Sequence, residues 1–290
     1  MGSLKEIKAR IASVHSTQKT TSAMRMVASA KLRRTQTLTQ NFQRYSTALR
    51  SITEQLGKTT VTEPVETAES IVLIPISSSS GLCGSFNSNI AKATIAQLET
   101  YNKEGKRVIV MPIGKKITKE IGKLKDQPTD TTYSTMNELV GKDGVYSEIQ
   151  SFIAFLQQMY REGKIQKAGI IYHHFISTGK QTIETKTLPL NPPTIVNSKD
   201  TESLNSKDFI TEPSPQELIN ILHPRMLNAE MYSILLDAAS SEHAARMMAM
   251  QTADDNANEL LQELTLQYNK TRQQSITNEL IDMMGGKVNS

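Results

Sequence analysis

Apolar residues near the start of the chain recur at alternating spacings of three and four, the rhythm of a coiled-coil helix. Leu4, Ile7, Ile11 and Val14 follow this rhythm. The same frame continues through five later positions: Ala28, Leu32, Phe42, Leu49 and Leu56. No proline interrupts the stretch, so every backbone N–H can join a continuous helical ladder. The pattern predicts one long N-terminal helix over residues 1–57 with a narrow apolar seam.

The last part of the chain carries a second seam. Ser214 and Pro215 are suited to the N-cap and first turn of a helix, and Gly285 with Gly286 is suited to its end. Between them, one residue set keeps the four-three rhythm with a skip at Ser241: Leu227, Met231, Ile234, Ala238, Ala245 and Met248. The pattern predicts a second long helix over 214–286. Two helices with narrow seams are expected to pair as an antiparallel coiled coil.

The middle of the chain has a different pattern. Three apolar runs have the length of buried strands: "IVLIPI" at 71–76, "RVIVMPIG" at 107–114 and "KAGIIYHHFIST" at 167–178. Helical periodicity at 89–104, 115–125 and 145–162 separates or precedes them, and "QTIETKTLPL" at 181–190 alternates like a half-buried strand. This order predicts a largely parallel sheet with a final hairpin through Gly179.

The expected fold class is therefore α/β: a long antiparallel coiled coil of the N- and C-terminal helices with an inserted Rossmann-like α/β domain. The domain boundaries predicted are 70–190 for the α/β domain and 191–213 for a polar, proline-containing linker. Composition agrees with a fold that has much surface, because only 38% of the residues are hydrophobic and tryptophan is absent. The single cysteine, Cys83, excludes an intramolecular disulfide.

Charge is distributed unevenly along the chain. Residues 1–50 carry ten Lys or Arg and one Glu, a net charge of +9, whereas residues 216–290 carry five basic and ten acidic groups, a net charge of −5. The whole chain has a net charge of +4. The basic end predicts a basic surface that includes Lys19, Arg25 and Lys31 and faces an acidic partner. No apolar run approaches the ~20 residues that span a bilayer.

The segment "SSSSGLCGSFNSNI" at 77–90 has the small residues of a phosphate-binding or nucleophilic loop. A Walker-type phosphate loop needs a lysine after its second glycine, but Gly84 is followed by Ser85. A nucleophilic Cys83 would need a base, and the candidates His173 and His174 are strand neighbours that point to opposite faces. Tight packing at a strand-to-helix turn is therefore the preferred interpretation.

Other motifs for catalysis or metal binding are incomplete. Glu242 and His243 lie on a predicted helix, but position 247, where a zinc helix would carry its second histidine, is Met. Asp254 and Asp255 are adjacent on a helix and point to different faces, which favours a solvated surface. We therefore expect no catalytic residue, no cofactor and no metal.

Three blocks of the sequence resemble the gamma subunits of F-type ATP synthases: "IKARIASVHSTQKTTSAMRMVASAKLRR", "GLCGSFN" and "SEHAARMMAMQTADDNANELLQELTLQYNKTRQQSITNEL". The resemblance implies that the coiled coil is the rotating shaft inside a ring of alpha and beta subunits. It implies that the α/β domain and lower coil bind the epsilon subunit and stand on the membrane c-ring. By position, four residues match family contacts with the beta subunits: Met24, Arg246, Gln273 and Thr277.

The resemblance has departures and leaves two rival classes open. Ser79 and Ser80 precede "GLCG" where the family often has an acidic and a basic residue, and Lys287 follows Gly286 where the family usually has alanine. With no transit-peptide pattern, a peripheral position at the cytoplasmic face of a bacterial plasma (inner) membrane is expected. The alternatives are a nucleic-acid-binding coiled coil, which would use the basic N-terminal segment on phosphates, and a small-molecule enzyme built on the α/β insert.

Overall fold

The computed structural model describes residues 4–56, 59–60, 70–124, 126–195, 212 and 214–285. The chain forms two compact units: a coil unit of residues 1–29 and 246–290, and a sheet unit of residues 30–245. The elements, in chain order, are α1 Leu4–Gln55, β1 Thr59–Thr60, β2 Ser70–Pro75, α2 Phe86–Lys103, β3 Arg107–Val110, α3 Lys115–Ile121, a 3₁₀ helix Met136–Leu139, α4 Val145–Arg161, β4 Lys167–Ser177, β5 Lys180–Leu188, β6 Thr194–Ile195 and α5 Pro215–Gly285. Helices α1 and α5 each contribute residues to both units.

In the coil unit, α1 turns one narrow face towards α5. Every step of the three-four rhythm coincides with reduced exposure, at Leu4, Ile7, Ile11, Val14, Gln18, Thr21, Arg25 and Ala28. The matching seam of α5 consists of Met250, Asp254, Ala257, Leu261, Leu264, Tyr268, Thr271 and Ser275. Gln18 Nε2 donates to Asn258 Oδ1 at 2.6 Å, and the Arg25 guanidinium donates to Gln251. From the first pair to the second, the residue number rises by seven on α1 and falls by seven on α5. The two helices are therefore antiparallel.

The sheet unit contains a four-stranded sheet in the order β3-β2-β4-β5. Strand β2 pairs in parallel with β3 and with β4, and β4 pairs antiparallel with β5. A separate two-stranded ladder joins β1 and β6. The central strands β2 and β4 therefore have neighbours on both sides, and their apolar side chains can be buried on both faces of the sheet.

Each face of the sheet is covered by helices. On one face, Ile71 and Leu73 of β2 pack with Ile90 of α2 and Ile117 of α3. On the other face, the intervening residues of β2 pack against α4 and α5 in a cluster that includes Val72, Ile74, Phe152, Met231 and Leu235. Successive strand residues point to opposite faces, so one strand supplies both cores.

Helix α1 also packs on α5 within the sheet unit. Leu49 is buried in a cluster with Leu222 and Ala229. The Phe42 and Tyr232 rings meet edge to face, with centroids 4.7 Å apart. This arrangement is a favoured geometry for aromatic pairs. The seam predicted from Phe42 and Leu49 is therefore occupied by α5.

The predicted fold class is confirmed, with long terminal helices, a mixed α/β sheet and a hairpin at Gly179. The Ser214 cap is also observed, because Glu217 N donates to Ser214 Oγ at 3.3 Å. The β1–β6 ladder was not predicted, and β6 falls inside the expected linker. Gly286, proposed to end the last helix, lies outside the described residues.

One seam assignment on α5 is wrong. Met248 was expected on the seam, but its exposed fraction is 42%, whereas Met250 is only 5% exposed. A straight α-helix drifts relative to a seven-residue repeat, so the buried stripe moves around the helix and a different methionine enters it.

Gly114 offers a test of the fold. Its φ is +106°, and a Cβ there would lie 2.3 Å from the carbonyl oxygen of Ser77. Ser77 Oγ accepts the Ile117 N–H at 3.0 Å and so holds the start of α3. We expect Gly114→Ala to lower the free energy of unfolding by about 3 kcal/mol, because backbone strain and a clash with backbone combine.

The matched control is Gly105→Ala. Gly105 also has positive φ, +70°, but nothing lies within 4 Å of an added Cβ. Only the left-handed backbone is penalised there, so the expected loss is about 1 kcal/mol. Urea unfolding of the full chain measures both values, and equal losses for the two variants would contradict the close-approach argument.

Candidate partner-binding surface

Large apolar side chains are exposed in the coil unit, away from the seam. On α1 these are Met24, Met26 and Val27. On α5 they are Met248, Leu266, Ile276, Leu280, Ile281, Met283 and Met284. Met283 and Met284 each have an exposed fraction of 73%. Large apolar side chains that are exposed in numbers on one unit favour an interaction surface. A two-helix coil buries only one face of each helix, so the remaining apolar residues are accessible to another protein.

Four residues of this unit were assigned to partner contacts by the resemblance. Met24 is 38% exposed. Gln273 and Thr277 are both exposed, and their spacing of four residues places them on the same face of α5. Thr277 Oγ1 donates to the Gln273 carbonyl oxygen at 2.9 Å across this turn. Arg246 is half-buried on the same helix, 27 residues before Gln273 or about 40 Å along its axis. The four residues therefore do not form one compact catalytic cluster.

Arg25 corrects the predicted basic surface. Its guanidinium donates to Gln251 and lies 4.0 Å from the carboxylate of Asp254. The Asp254 side chain is 14% exposed and that of Arg25 is 34% exposed. Residue 25 falls on the seam frame, so its long side chain crosses to α5 and is occupied within the chain.

The other two predicted basic residues are exposed. Lys19 lies on the outer side of α1 in the coil unit. In the sheet unit, Lys31 lines a cavity of about 360 Å³ together with Arg34 and Lys142. Arg34 donates to the Gly141 carbonyl oxygen at 2.7 Å, which ties α1 to the 141–144 turn. Glu138 and Glu242 also line this cavity, so its charge is mixed.

The small-residue loop after β2 is closed by hydrogen bonds. Asn87 Oδ1 accepts the Ser78 N–H at 3.0 Å, and Asn87 Nδ2 contacts Cys83 Sγ at 3.1 Å. Cys83 is only 2% exposed. Leu82, at φ +61°, is the one described non-glycine residue with positive φ. The polar atoms of the loop bond within its own turn or to neighbouring segments, since Ser77 Oγ accepts the Ile117 N–H and the Ser77 carbonyl oxygen accepts from Asn137 Nδ2, and the thiol is enclosed.

The histidines do not activate that thiol. His173 Nε2 donates to the Phe86 carbonyl oxygen at 3.0 Å, and His174 Nδ1 lies 2.5 Å from Asp237 Oδ2. Within the described ranges, the contacts of Cys83 are to Ser78, Ser80 and Asn87 rather than to an imidazole. In the same part of the chain, no group of three His, Cys, Asp or Glu side chains could hold a metal ion.

Sequence reasoning missed the apolar residues near the end of α5. Ile276, Leu280 and Ile281 are 48–60% exposed. The available signal was their position: they lie beyond Ser275, where the seam residues of α5 end. None of the helices that the structure describes combines the length and apolarity needed to cross a membrane.

Comparison with known proteins gives a consistent result over the full length. The ATP synthase family profile matches residues 3–288. The chain is 45% identical to the ATP synthase gamma chain of Parabacteroides distasonis over 99% of this chain and 98% of that protein. It is 40% identical to the ATP synthase gamma chain of Bacteroides fragilis, covering 99% of this chain and 100% of that protein.

A solved structure has the same fold. The chain matches one in the Euglena gracilis mitochondrial ATP synthase assembly of OSCP, F1 and c-ring, with a TM-score of 0.64. The match covers 98% of this chain and 93% of that one at 18% identity. At this identity the likeness concerns the fold alone.

The Arg25 contact predicts a stability effect in the coil unit. Arg25→Ala leaves the Asp254 carboxylate, which is 14% exposed, without its cationic neighbour. We expect the opening free energy of α1 amides in residues 4–29 to fall by about 1–3 kcal/mol, measured by native-state hydrogen exchange. Lys19→Ala removes an equal charge from an exposed site and should change it by less than about 0.5 kcal/mol. Similar losses in both variants would mean that the seam contact adds nothing.

Proposed function

The chain belongs to the ATP synthase gamma chain family, and from this we infer that it is the central-stalk rotor shaft of an F-type ATP synthase. It couples proton flow through the membrane sector to ATP synthesis or hydrolysis at the alpha/beta ring by rotation. The observation that carries this proposal is the 45% identity to a gamma chain over 99% of the chain. The coil unit, with apolar side chains outside its seam, has the surface that such a role requires.

The terminal helices and the α/β domain have different roles in this proposal. The terminal helices, over residues 1–57 and 214–286, supply the shaft inside the ring. The α/β domain over 70–190, followed by the linker 191–213, binds the epsilon subunit and stands on the c-ring with the lower coil. The protein binds no nucleic acid and is peripheral to the bacterial plasma membrane, at its cytoplasmic face, through the complex.

In this proposal the chain transmits work without catalytic residues of its own. A proton driven by of order 200 mV supplies roughly 4 to 5 kcal/mol, because one charge gains about 2.3 kcal/mol per 100 mV. Several protons per ATP therefore send about 10 kcal/mol or more through the shaft at each step. An exposed salt bridge contributes under ~1 kcal/mol, so the load must be distributed over the shape of the coil.

Four contacts to the beta subunits are proposed on the matched positions. Met24 supplies an adaptable apolar contact. Arg246 supplies a charged donor, and Gln273 with Thr277 supplies polar groups on one face further along α5. Lys19 and Lys31 face acidic partner surface, whereas Arg25 is withdrawn from this set because it is engaged with α5.

Rotation of a labelled shaft tests the function. Cys83 is buried, so a cysteine introduced at the exposed Glu104 of the sheet unit can carry a probe with little competing reaction. With the cognate alpha and beta subunits assembled and immobilised, ATP is expected to drive directional rotation of the probe. Failure to assemble with those subunits, or an assembled ATPase in which the probe never rotates, would overturn the proposal.

Alanine substitutions in the assembled complex test the polar contacts. We expect Arg246→Ala to lower ATP hydrolysis and proton pumping by about tenfold or more, because hydrogen bonds of charged groups are worth ~1.5–3 kcal/mol. Gln273→Ala and Thr277→Ala should lower them by a few fold, since neutral hydrogen bonds are worth about 1 kcal/mol. The smallest effect is expected at Thr277, whose hydroxyl proton is already donated within the helix.

The matched control is Gln274→Ala. Gln274 is exposed like Gln273 but is rotated by about 100° around the helix. Helicity of each isolated chain by circular dichroism separates loss of contact from loss of fold. Full activity in the triple variant, or equal losses at Gln273 and Gln274, would remove these residues from the mechanism.

Salt dependence tests the basic pair. Lys19→Gln together with Lys31→Gln should weaken binding to the alpha/beta ring most at low ionic strength, because surface charges are screened beyond ~10 Å at 0.1 M salt. The control, Lys103→Gln with Lys180→Gln, removes the same charge from exposed sheet-unit positions. Binding titrations across salt should separate the two pairs; parallel curves would show that Lys19 and Lys31 belong to a solvated face.

A further inference from the structure

The β4–β5 hairpin extends beyond the rest of the sheet. Strand β4 pairs with β2 only as far as Ile171, opposite Pro75. From Tyr172 to Ser177, its ladder partner among the described strands is β5 alone. A two-stranded ribbon is marginally stable by itself, so this part of the hairpin depends on contacts with its neighbours.

On one side the extended hairpin is held by α5. Asp237 Oδ1 accepts the Phe175 N–H at 2.8 Å, and Asp237 Oδ2 lies 2.5 Å from His174 Nδ1. One turn further along α5, Ser241 Oγ donates to the His173 carbonyl oxygen at 3.0 Å. Two residues of α5 thus hold three consecutive residues of β4.

On the other side the hairpin is held by the start of α2. The His173 ring stacks on Phe86 with centroids 4.3 Å apart, and its Nε2 is 3.0 Å from the Phe86 carbonyl oxygen. A carbonyl oxygen can only accept, so Nε2 carries the proton. Nδ1 is buried and has no hydrogen-bond partner among the described residues.

We propose that His173 and His174 form a pH-sensitive clasp on the hairpin: neutral His173 holds it to Phe86 and protonated His174 holds it to Asp237. The two contacts are at full strength together only in a window around neutral pH. This device is independent of the rotor role and concerns the order of the hairpin itself.

The charges around His174 favour its protonated form. The hydrogen bond and charge of Asp237 raise its pKa, and Glu184 adds to this effect, while burial opposes it. Three more polar groups face the same cleft: Tyr172, whose hydroxyl donates to Glu184 at 3.0 Å, Lys186, which pairs with Glu230 at 2.8 Å, and Arg50 of α1. The largest effect on the His174 pKa is the direct hydrogen bond to Asp237, which raises it.

The surroundings of His173 favour its neutral form. Burial lowers its pKa, and the hydrogen bond to Phe86 opposes this only in part. Its contacts are an aromatic ring, a carbonyl oxygen and, at its own backbone, the Ser241 hydroxyl. Protonation would place a second N–H donor at Nδ1, where no described residue accepts it.

The contributions of the two histidines to stability change with pH in opposite directions. The loss of the His173 contribution at low pH is the acid limb, and the loss of the His174 contribution at high pH is the alkaline limb. Because the folded pKa of His173 is below 6.5, its contribution to stability is complete above the unfolded pKa and is lost as pH falls through the folded value. Because the folded pKa of His174 is above 6.5, its contribution is present below the unfolded pKa and is lost as pH rises through the folded value. Deprotonated His174 retains at most a weaker, neutral hydrogen bond.

Hydrogen–deuterium exchange of the full chain tests the clasp from about pH 5 to about pH 9, with rates corrected for the intrinsic pH dependence of exchange. Peptides covering 172–183 should be most protected inside the window. At the alkaline end their exchange should accelerate by about fivefold, the difference between a charge-assisted and a neutral hydrogen bond. At the acid end a similar acceleration is expected, because protonated His173 buries a charge and an N–H donor without an acceptor. Peptides from α4 should stay unchanged.

Three variants separate a switch from a merely structural contact. Asp237→Asn keeps the shape and an acceptor but removes the charge, so it should abolish the alkaline limb and return the His174 pKa, followed by NMR, to its ordinary range. His173→Phe should abolish the acid limb alone. His15→Gln, at an exposed position of α1, should leave both limbs intact. Constant corrected protection of 172–183 across pH, or both limbs surviving in Asp237→Asn and His173→Phe, would overturn the proposal.

Discussion

The packing of α5 on one face of the sheet is the interaction on which the sheet unit depends. A parallel sheet with apolar residues on both faces needs two covering layers, and α4 supplies only part of the second. Met231, Ile234 and Leu235 of α5 complete it, each less than 4% exposed. Each such side chain contributes about 1.5–3 kcal/mol on burial. The α/β domain therefore cannot be completed by the segment between the strands; it requires a helix that follows them by more than twenty residues.

The coil unit has the opposite relation between helix and core. Its seam is narrow and is interrupted by polar side chains. Two of these, Gln18 and Arg25, bond to Asn258 and Gln251 of α5. Polar seam residues reduce stability but fix register, because a shift along the axis would leave them without partners. Apolar residues outside the seam are left in solvent. Methionine consequently occurs in two environments: Met231 is fully buried in the sheet unit, whereas Met283 is exposed in the coil unit.

The sequence was sufficient to predict features that depend on local periodicity. Spacing predicts the seam through Ile7, Ala28 and Leu32 and the strands at 71–76 and 167–178. Residue chemistry within one turn predicts the Ser214 cap. Features that depend on distant segments were not accessible. Arg25 was assigned to the surface because it is charged; its place in the three-four frame could be read from the sequence, but its partners on α5, more than two hundred residues away, could not. Likewise, strand alternation predicted that His173 and His174 point in opposite directions. It did not predict that His173 contacts Phe86 and that His174 contacts Asp237.

In the proposed role, a shaft meets successive partner surfaces, and this requirement favours contacts that contain few directional hydrogen bonds. A dense array of directional hydrogen bonds would hold one orientation and oppose the next, since each bond must be broken before the shaft can advance. Methionine side chains adapt to different surfaces and have no directional preference. Exposed apolar side chains such as Met283 and Met284, lying among polar side chains such as Gln273 that also face solvent, can therefore transmit force through shape while keeping the barrier between orientations low. Strong directional bonds are found instead inside the chain, at Arg25 in the coil unit and Asp237 in the sheet unit, where geometry has to be retained.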